Sequence, residues 1–501
     1  MAPANARTLG GLRTKLFYGF GSVAYGVKDQ GFSTLLMLYY NQVIGLPAQW
    51  VGAAILIALV FDALADPIVG QLSDNLRSRW GRRHPFMYAA AVPAAIAFWV
   101  LWNPPDWSQE GLFAFLVVMA IVVRTFITFY EIPSSALAAE LTRDYDQRTS
   151  FMAFRYFFGW MGGLGMTILG FAVFFTPDAA HPVGQLNRAG YSAYAFCAAV
   201  VMVIAILVSA LGTHRFIPTF SVPPKRKVSV GMMAREVMET WSHRSFAALT
   251  GSTLFAYVAT GVLLSLNVYF NTYFWNMSAQ QIAGVTAGLV LAPFLALAIA
   301  TPLSRRFGKK HSAIALFLGC LVLYCTPLTL GLAGILPRVP STGMLAALLL
   351  FSLAATTMGI SSSIMGSSMM TDVVEDSQLR TGRRSEGVFF SAISLVQKAV
   401  SGLGAFIVGN LLALVHFPQD ATPQTLDPRV THDLVLVYLP TIIVLFSLSI
   451  LCLTFYRIRR EDHEANLRQL DDGQVPPAPE AQAGLAQDTA GLRPNPAAAS
   501  E

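Results

Sequence analysis

Twelve apolar runs of membrane-spanning length leave this chain few folds to choose from. They cover residues 15–44, 49–75, 85–104, 111–141, 150–176, 190–212, 246–273, 281–303, 312–334, 343–370, 386–416 and 432–456. About 20 apolar residues in a helix cross the hydrocarbon core of a bilayer, where the backbone has to satisfy its own hydrogen bonds. The pattern predicts an all-α polytopic membrane protein with twelve transmembrane helices. Only 12% of the residues are charged, against about a quarter in an ordinary soluble domain. No cleavable signal is expected, because the first twelve residues are polar and the first run is too long for a signal core. The four cysteines all fall inside apolar runs and give neither a disulfide frame nor a metal spacing.

The positive charges orient these runs. Of 34 Lys and Arg, 27 lie in both termini, counting Lys15 at the very start of run 1, and in the connections after runs 2, 4, 6, 8 and 10. Only Arg188, Arg338 and Arg429 lie in the other connections, and Lys28, Arg124, Arg155 and Lys398 sit inside runs. The positive-inside rule places the first set, with both termini, in the cytoplasm. The net charge of +6 then reflects topology, and nucleic acid is not an expected partner. "RWGRRH" (79–84) after run 2 recurs as "RFGKKH" (306–311) after run 8. This repeat predicts a cytoplasmic N-terminal segment (1–14), a six-helix half (15–212), a cytoplasmic linker (213–245), a second six-helix half (246–456) and a cytoplasmic tail (457–501), disordered from about Asp472. Repeated halves are a transporter architecture, with the site near the midplane between them.

Run 2 carries two acids, Asp62 and Asp66, in "FDALADPIVGQLSD" (61–74). At i and i+4 they share one helix face. A carboxylate at the bilayer centre costs about 2.5–3.5 kcal/mol on insertion scales, so such acids serve ions, protons or buried ion pairs. Run 4 places Arg124, Thr128 and Glu131 on one face. Arg124 reads first as a counter-ion to Asp62, Asp66 or Glu131, and second as a partner for an anionic substrate, whose carboxylate a guanidinium can grip with two hydrogen bonds. Lys28 reads as a partner for another helix. An enzyme is not expected, because no nucleophile motif, metal spacing or phosphate loop is present. A sensor lacks a sizeable output domain after run 12, and a channel would want a ring of acids instead of acids beside buried bases.

"GQLSDNLRSRWGRR" (70–83) resembles the loop signature of the major facilitator superfamily. "KLFYGFGSVAYGVKD" (15–29), "DALADPIVG" (62–70), "YEIPSSALAAELT" (130–142), "RTSFMAFR" (148–155) and "SLVQKAVSGLGAF" (394–406) resemble its glycoside–pentoside–hexuronide:cation symporter family, which includes melibiose permease. The resemblance implies the major facilitator fold in a plasma membrane, no cofactor, H⁺ or Na⁺ as coupling ion, a sugar-like substrate and a monomeric carrier. It implies a cation site at Asp62, Asp66 and Thr128, and substrate contacts at Asp29, Glu131, Arg155 and Lys398, with Arg124 and Lys28 nearby. It also implies a cytoplasmic gate at Gly70, Asp74, Arg77, Gly81, Arg82 and Arg83, with related pairs between Asp372, Glu375, Asp376 and Arg380, Arg383, Arg384. Two departures matter. Ala65 stands where some sodium-using members carry Asn, which favours H⁺. Ser135 stands where melibiose permease stacks its sugar on Trp, which leaves room for an amphiphile or another organic anion.

Overall fold

The computed structural model describes residues 11–142, 145–179, 181–219, 244–337, 340–381, 386–458 and 461, without most side chains between 377 and 401. Most of the expected N-terminal segment, linker and tail lies outside the described residues. Among those described, every regular element is helical: α1 (Leu12–Phe20), α2 (Ser22–Gln30), α3 (Ala48–Asn75), α4 (His84–Leu101), α5 (Gln109–Leu141), α6 (Tyr145–Leu169), α7 (Arg188–His214), α8 (Arg244–Tyr269), α9 (Ala279–Gly288), α10 (Ala292–Phe307), α11 (Lys309–Leu332), α12 (Thr342–Thr381), α13 (Glu386–Leu414) and α14 (Pro428–Thr454).

Ten helical stretches among the described residues are long and apolar enough to cross a membrane. The first run is not one of them, because it breaks into α1, α2 and two π-turns, Gly31–Leu35 and Tyr39–Val43. The eleventh run lies in α13 (Glu386–Leu414), whose side chains are described mainly over the apolar part Gly402–Leu414. Run 8 is split into α9 and α10 by a 3₁₀ turn, with a proline in the first turn of α10. There the missing N–H costs nothing. The largest shift from expectation is α12. It continues to Thr381, so Asp372, Glu375 and Asp376 are helical and not in a loop. No Gly or Pro interrupts "SSMMTDVVEDSQLRT" (367–381), and Val373 and Val374 bury its apolar side.

The helices pack as two bundles. In the first, α2 lies on α6, α3 on α5, and α4 between α5 and α7; in the second, α8 contacts α13 and α14, and α12 packs on α10 and α11. Across the bundles α3 meets α13, α6 meets α9, and α8 meets the π-turn Gly31–Leu35. The α3–α13 contact is glycine-mediated: a Cβ on Gly52 would stand 2.8 Å from the Ala405 carbonyl oxygen, and one on Gly402 would stand 2.6 Å from Leu59 Cδ1. Small residues let helix backbones approach in a membrane, where no hydrophobic drive separates helix from lipid.

The bundles are joined at the end remote from the basic connections. There the Tyr269 hydroxyl donates to Asn41 Oδ1 (2.8 Å), Gln42 Nε2 donates to the Pro418 carbonyl (3.0 Å), and Gln185 Nε2 donates to the Met277 carbonyl (3.0 Å). On the face of α3 that meets α13, Asp66 and Gly70 are half-buried and the Asp74 side chain is 54% exposed.

Candidate functional site

The site is built around Pro67, which lacks an N–H and so leaves the turn of α3 that holds Asp62 and Asp66 short of one backbone bond. Asp62 is 3% exposed and Asp66 half-buried. Opposite them α5 presents Arg124 and Thr128, one turn apart. Arg124 Nη1 lies 3.2 Å from Asp62 Oδ2, and Thr128 Oγ1 lies 2.8 Å from Asp62 Oδ1 and 3.2 Å from Asp66 Oδ1. A hydroxyl has one proton to give, so Thr128 donates to one of the two acids at a time, and a bond to the other needs that acid protonated and donating to the threonine oxygen. Arg124 is 6% exposed and stacks 4.9 Å from the Phe32 ring, and its Nε has no hydrogen-bond partner. Asp62, Asp66, Thr128 and Arg124 thus come together as one buried cluster. Three oxygens converge there, of a kind that suits a proton or a small hard cation. Ala65 adds only a methyl group.

A second cluster joins α6, α5 and α2. Arg155, 4% exposed, donates from Nη1 to Ser134 Oγ (2.8 Å) and from Nη2 to the Glu131 carbonyl (3.2 Å), and stacks 5.0 Å from the Tyr25 ring. It reaches the backbone of Glu131; the Glu131 side chain itself is half-buried. Ser135 donates to the Ile132 carbonyl. Among the described residues Lys28 pairs with its neighbour Asp29 and not with another helix. Its Nζ lies 2.5 Å from Oδ1 of its neighbour Asp29, because the lysine is buried while the Asp29 side chain is 54% exposed. Asp29 is one turn from Ser33, whose carbonyl accepts from Ser265 of α8 (3.2 Å). Its face therefore looks toward the second bundle. The Lys398 side chain lies outside the described residues.

At the basic end, Asp74 pairs with Arg83 (2.6 Å), and Arg83 also donates to Ser73 Oγ (2.8 Å). Both Arg82 (2.6 Å) and Arg83 (3.1 Å) converge on Glu140 Oε1. The sequence reading missed Glu140. The signal was available: an acid in the last turn of α5 sits at the negative pole of that helix and wants cations. Arg77 is exposed and makes no ion pair among the described residues. Gly81 has φ +73°, where a side chain is strained, and its counterpart Gly308 has φ +77°. The repeat continues beyond the glycines: Arg79 stacks on Trp80 and Arg306 on Phe307, and Lys309 pairs with Asp372 (2.6 Å) as Arg82 does with Glu140. Tyr456 also donates to Asp372 (3.4 Å). Of the arginines expected opposite Asp372, Arg383 and Arg384 lie outside the described residues, as does the Arg380 side chain.

The profile of the MFS/sugar transport protein family matches residues 17–460. A putative glycoside/cation symporter of Escherichia coli K12 is 25% identical, over 92% of this chain and 95% of that protein. A sphingosine-1-phosphate transporter of Mus musculus is 28% identical, over 87% of this chain and 88% of its own length. Among solved structures, a D-xylose–proton symporter superposes with a TM-score of 0.61 at 14% identity, over 90% of this chain and 98% of its own.

Proposed function

The chain belongs to the MFS/sugar transport protein family, in keeping with its resemblance to glycoside–pentoside–hexuronide:cation symporters, and from that premise we propose cation-coupled symport of a sugar-like solute by alternating access. The protein is a transporter integral to a plasma membrane, not an enzyme. In this reading twelve helices cross the bilayer in two halves and both termini are cytoplasmic. The observation that carries it is the buried Asp62–Thr128–Asp66 cluster, with Asp29 exposed toward the second bundle. Ion and sugar bind on either side of α5 and together favour the occluded state, so neither crosses readily alone.

Two features bear on the finer choices. Arg124 already compensates Asp62, and Ala65 offers no oxygen, so a proton suits the cluster better than a multi-ligand Na⁺ shell. Arg124, Arg155 and Lys28 are each buried and engaged by protein partners, while the exposed group is a carboxylate. That set suits a neutral polyol, whose hydroxyls donate to Asp29 and Glu131, better than a uronate. Lys398 enters through helix register: Gly402 sits level with Leu59 in an antiparallel crossing, so position 398 falls level with Asp62. Asp74, Arg82 and Arg83, with Glu140, act as the cytoplasmic gate. A second reading, a carrier of amphiphiles, is favoured by Ser135 in place of an aromatic platform and by the relative whose name specifies sphingosine-1-phosphate.

Reconstituted protein with an imposed H⁺ or Na⁺ gradient and a panel of glycosides, pentosides, uronides and a lysolipid tests the reading. Accumulation of a neutral sugar driven by the H⁺ gradient is expected. Accumulation of a lysolipid alone would establish the second reading and discard the first.

A further inference from the structure

Gln42 is an uncharged residue near the end of the first run, and none of the roles above uses it. It is 3% exposed and sits in the π-turn Tyr39–Val43. All of its polar capacity is spent where the bundles meet. Its Nε2 donates to Asn41 Oδ1 (2.6 Å) and to the Pro418 carbonyl (3.0 Å). Its Oε1 accepts from the Tyr273 hydroxyl (3.1 Å) and from the Ala421 N–H (3.1 Å). Three of those partners belong to the second bundle, and a carboxamide offers two donors and two acceptor sites.

Its surroundings repeat between the bundles. Tyr273 lies in the π-turn Phe270–Phe274, which ends α8 as Tyr39–Val43 ends the first run. Each π-turn is followed by a residue with positive φ, Gly45 at +81° and Asn276 at +51°. Tyr269 donates to Asn41 Oδ1, and Phe417 packs edge-on against both Tyr269 and Tyr273. The three groups of the second bundle that Gln42 holds would lose their partner, still dry, if the bundles separated here without water entering. An unmet buried polar group costs more than a hydrogen bond contributes, so the seam is either fully closed or open and wet.

We propose that the Gln42 carboxamide is the latch of the gate at this end, setting the balance between the state seen here and one opened on the opposite side. The proposal rests on the alternating-access reading. Its test reads distance and not transport, so the two can fail separately. In full-length protein reconstituted in nanodiscs, with its four native cysteines replaced, spin labels at Glu110→Cys and Arg429→Cys report the latched end. Labels at Asn75→Cys and Arg305→Cys report the other end.

Gln42→Leu keeps the side-chain volume and removes all four bonds. It should raise the population of the long distance at the latched end at least tenfold and shorten the other distance reciprocally. Tyr273→Phe, which removes one donor and leaves the ring packing, should shift the balance in the same direction by a smaller factor. The latch is refuted if both variants keep the parent distributions while added sugar moves them. If no variant and no sugar moves either distance, alternating access itself fails. Lengthening at both ends together would mean general loosening, and would also overturn the proposal.

Discussion

Removing the charge of Arg124 should expose how the cluster is balanced. Arg124 Nη1 and Asp62 Oδ2 are 3.2 Å apart, and both side chains are over nine-tenths buried. Deleting one partner of such a pair typically costs about 3–5 kcal/mol, mainly because the other charge stays buried without compensation. Loss of the stacking on Phe32 adds about 0.5–2 kcal/mol. Arg124→Gln should therefore lose roughly 3–5 kcal/mol, given that the glutamine recovers part of the hydrogen bonding. For a folding unit the size of one bundle this is a fall of roughly 10 °C in midpoint. Asp62→Asn/Arg124→Gln keeps the shapes and a neutral hydrogen bond, and should lie within about 1–2 kcal/mol of the parent, since neutral replacements of buried pairs are well tolerated. Thermal unfolding of the four proteins of this cycle, followed by tryptophan fluorescence in one lipid at one scan rate, measures the coupling. A double variant as unstable as Arg124→Gln would refute the pairing, and so would an Arg124→Gln protein as stable as the parent.

Three further outcomes follow from the same geometry. Asp66→Asn should abolish gradient-driven accumulation by at least tenfold while leaving sugar exchange, as measured by counterflow; retained uphill uptake would make the acid pair structural. Ala65→Asn should raise the stimulation of uptake by Na⁺, because it returns an oxygen to the shell beside Asp66, and unchanged Na⁺ dependence would remove the argument from Ala65. Gly81→Ala should cost about 1–2 kcal/mol, the usual penalty for a Cβ in left-handed backbone, since φ is +73° and the new Cβ would also press to 3.2 Å from Ile217; a midpoint equal to the parent's would count against that strain.

The amino-acid sequence by itself determined that the chain crosses membranes and transports. Helix existence follows from apolar length, and that is a local property that needs no neighbours. The i, i+4 spacing of Asp62 and Asp66, and the shared face of Arg124 and Thr128, are also local geometry; that Thr128 belongs with the two acids came from the family resemblance and not from spacing. The repeat of "RWGRRH" as "RFGKKH" was legible too, down to glycines with the same backbone sign. Arg124 could be read as a counter-ion, and it pairs with Asp62, but the other pairings were not legible. Lys28 turned to its neighbour Asp29, and Arg82 and Arg83 met on Glu140, because the choice of partner depends on which helices cross and at what height. The extension of α12 and the breaking of the first run into π-turns also depended on packing, since a helix end is marginal until a neighbour covers or vacates it. Gln42 is the plainest case. In one dimension it is a polar residue near the end of an apolar run, and only the meeting of two distant π-turns and the loop at Pro418 and Ala421 gives its four hydrogen bonds a place to go.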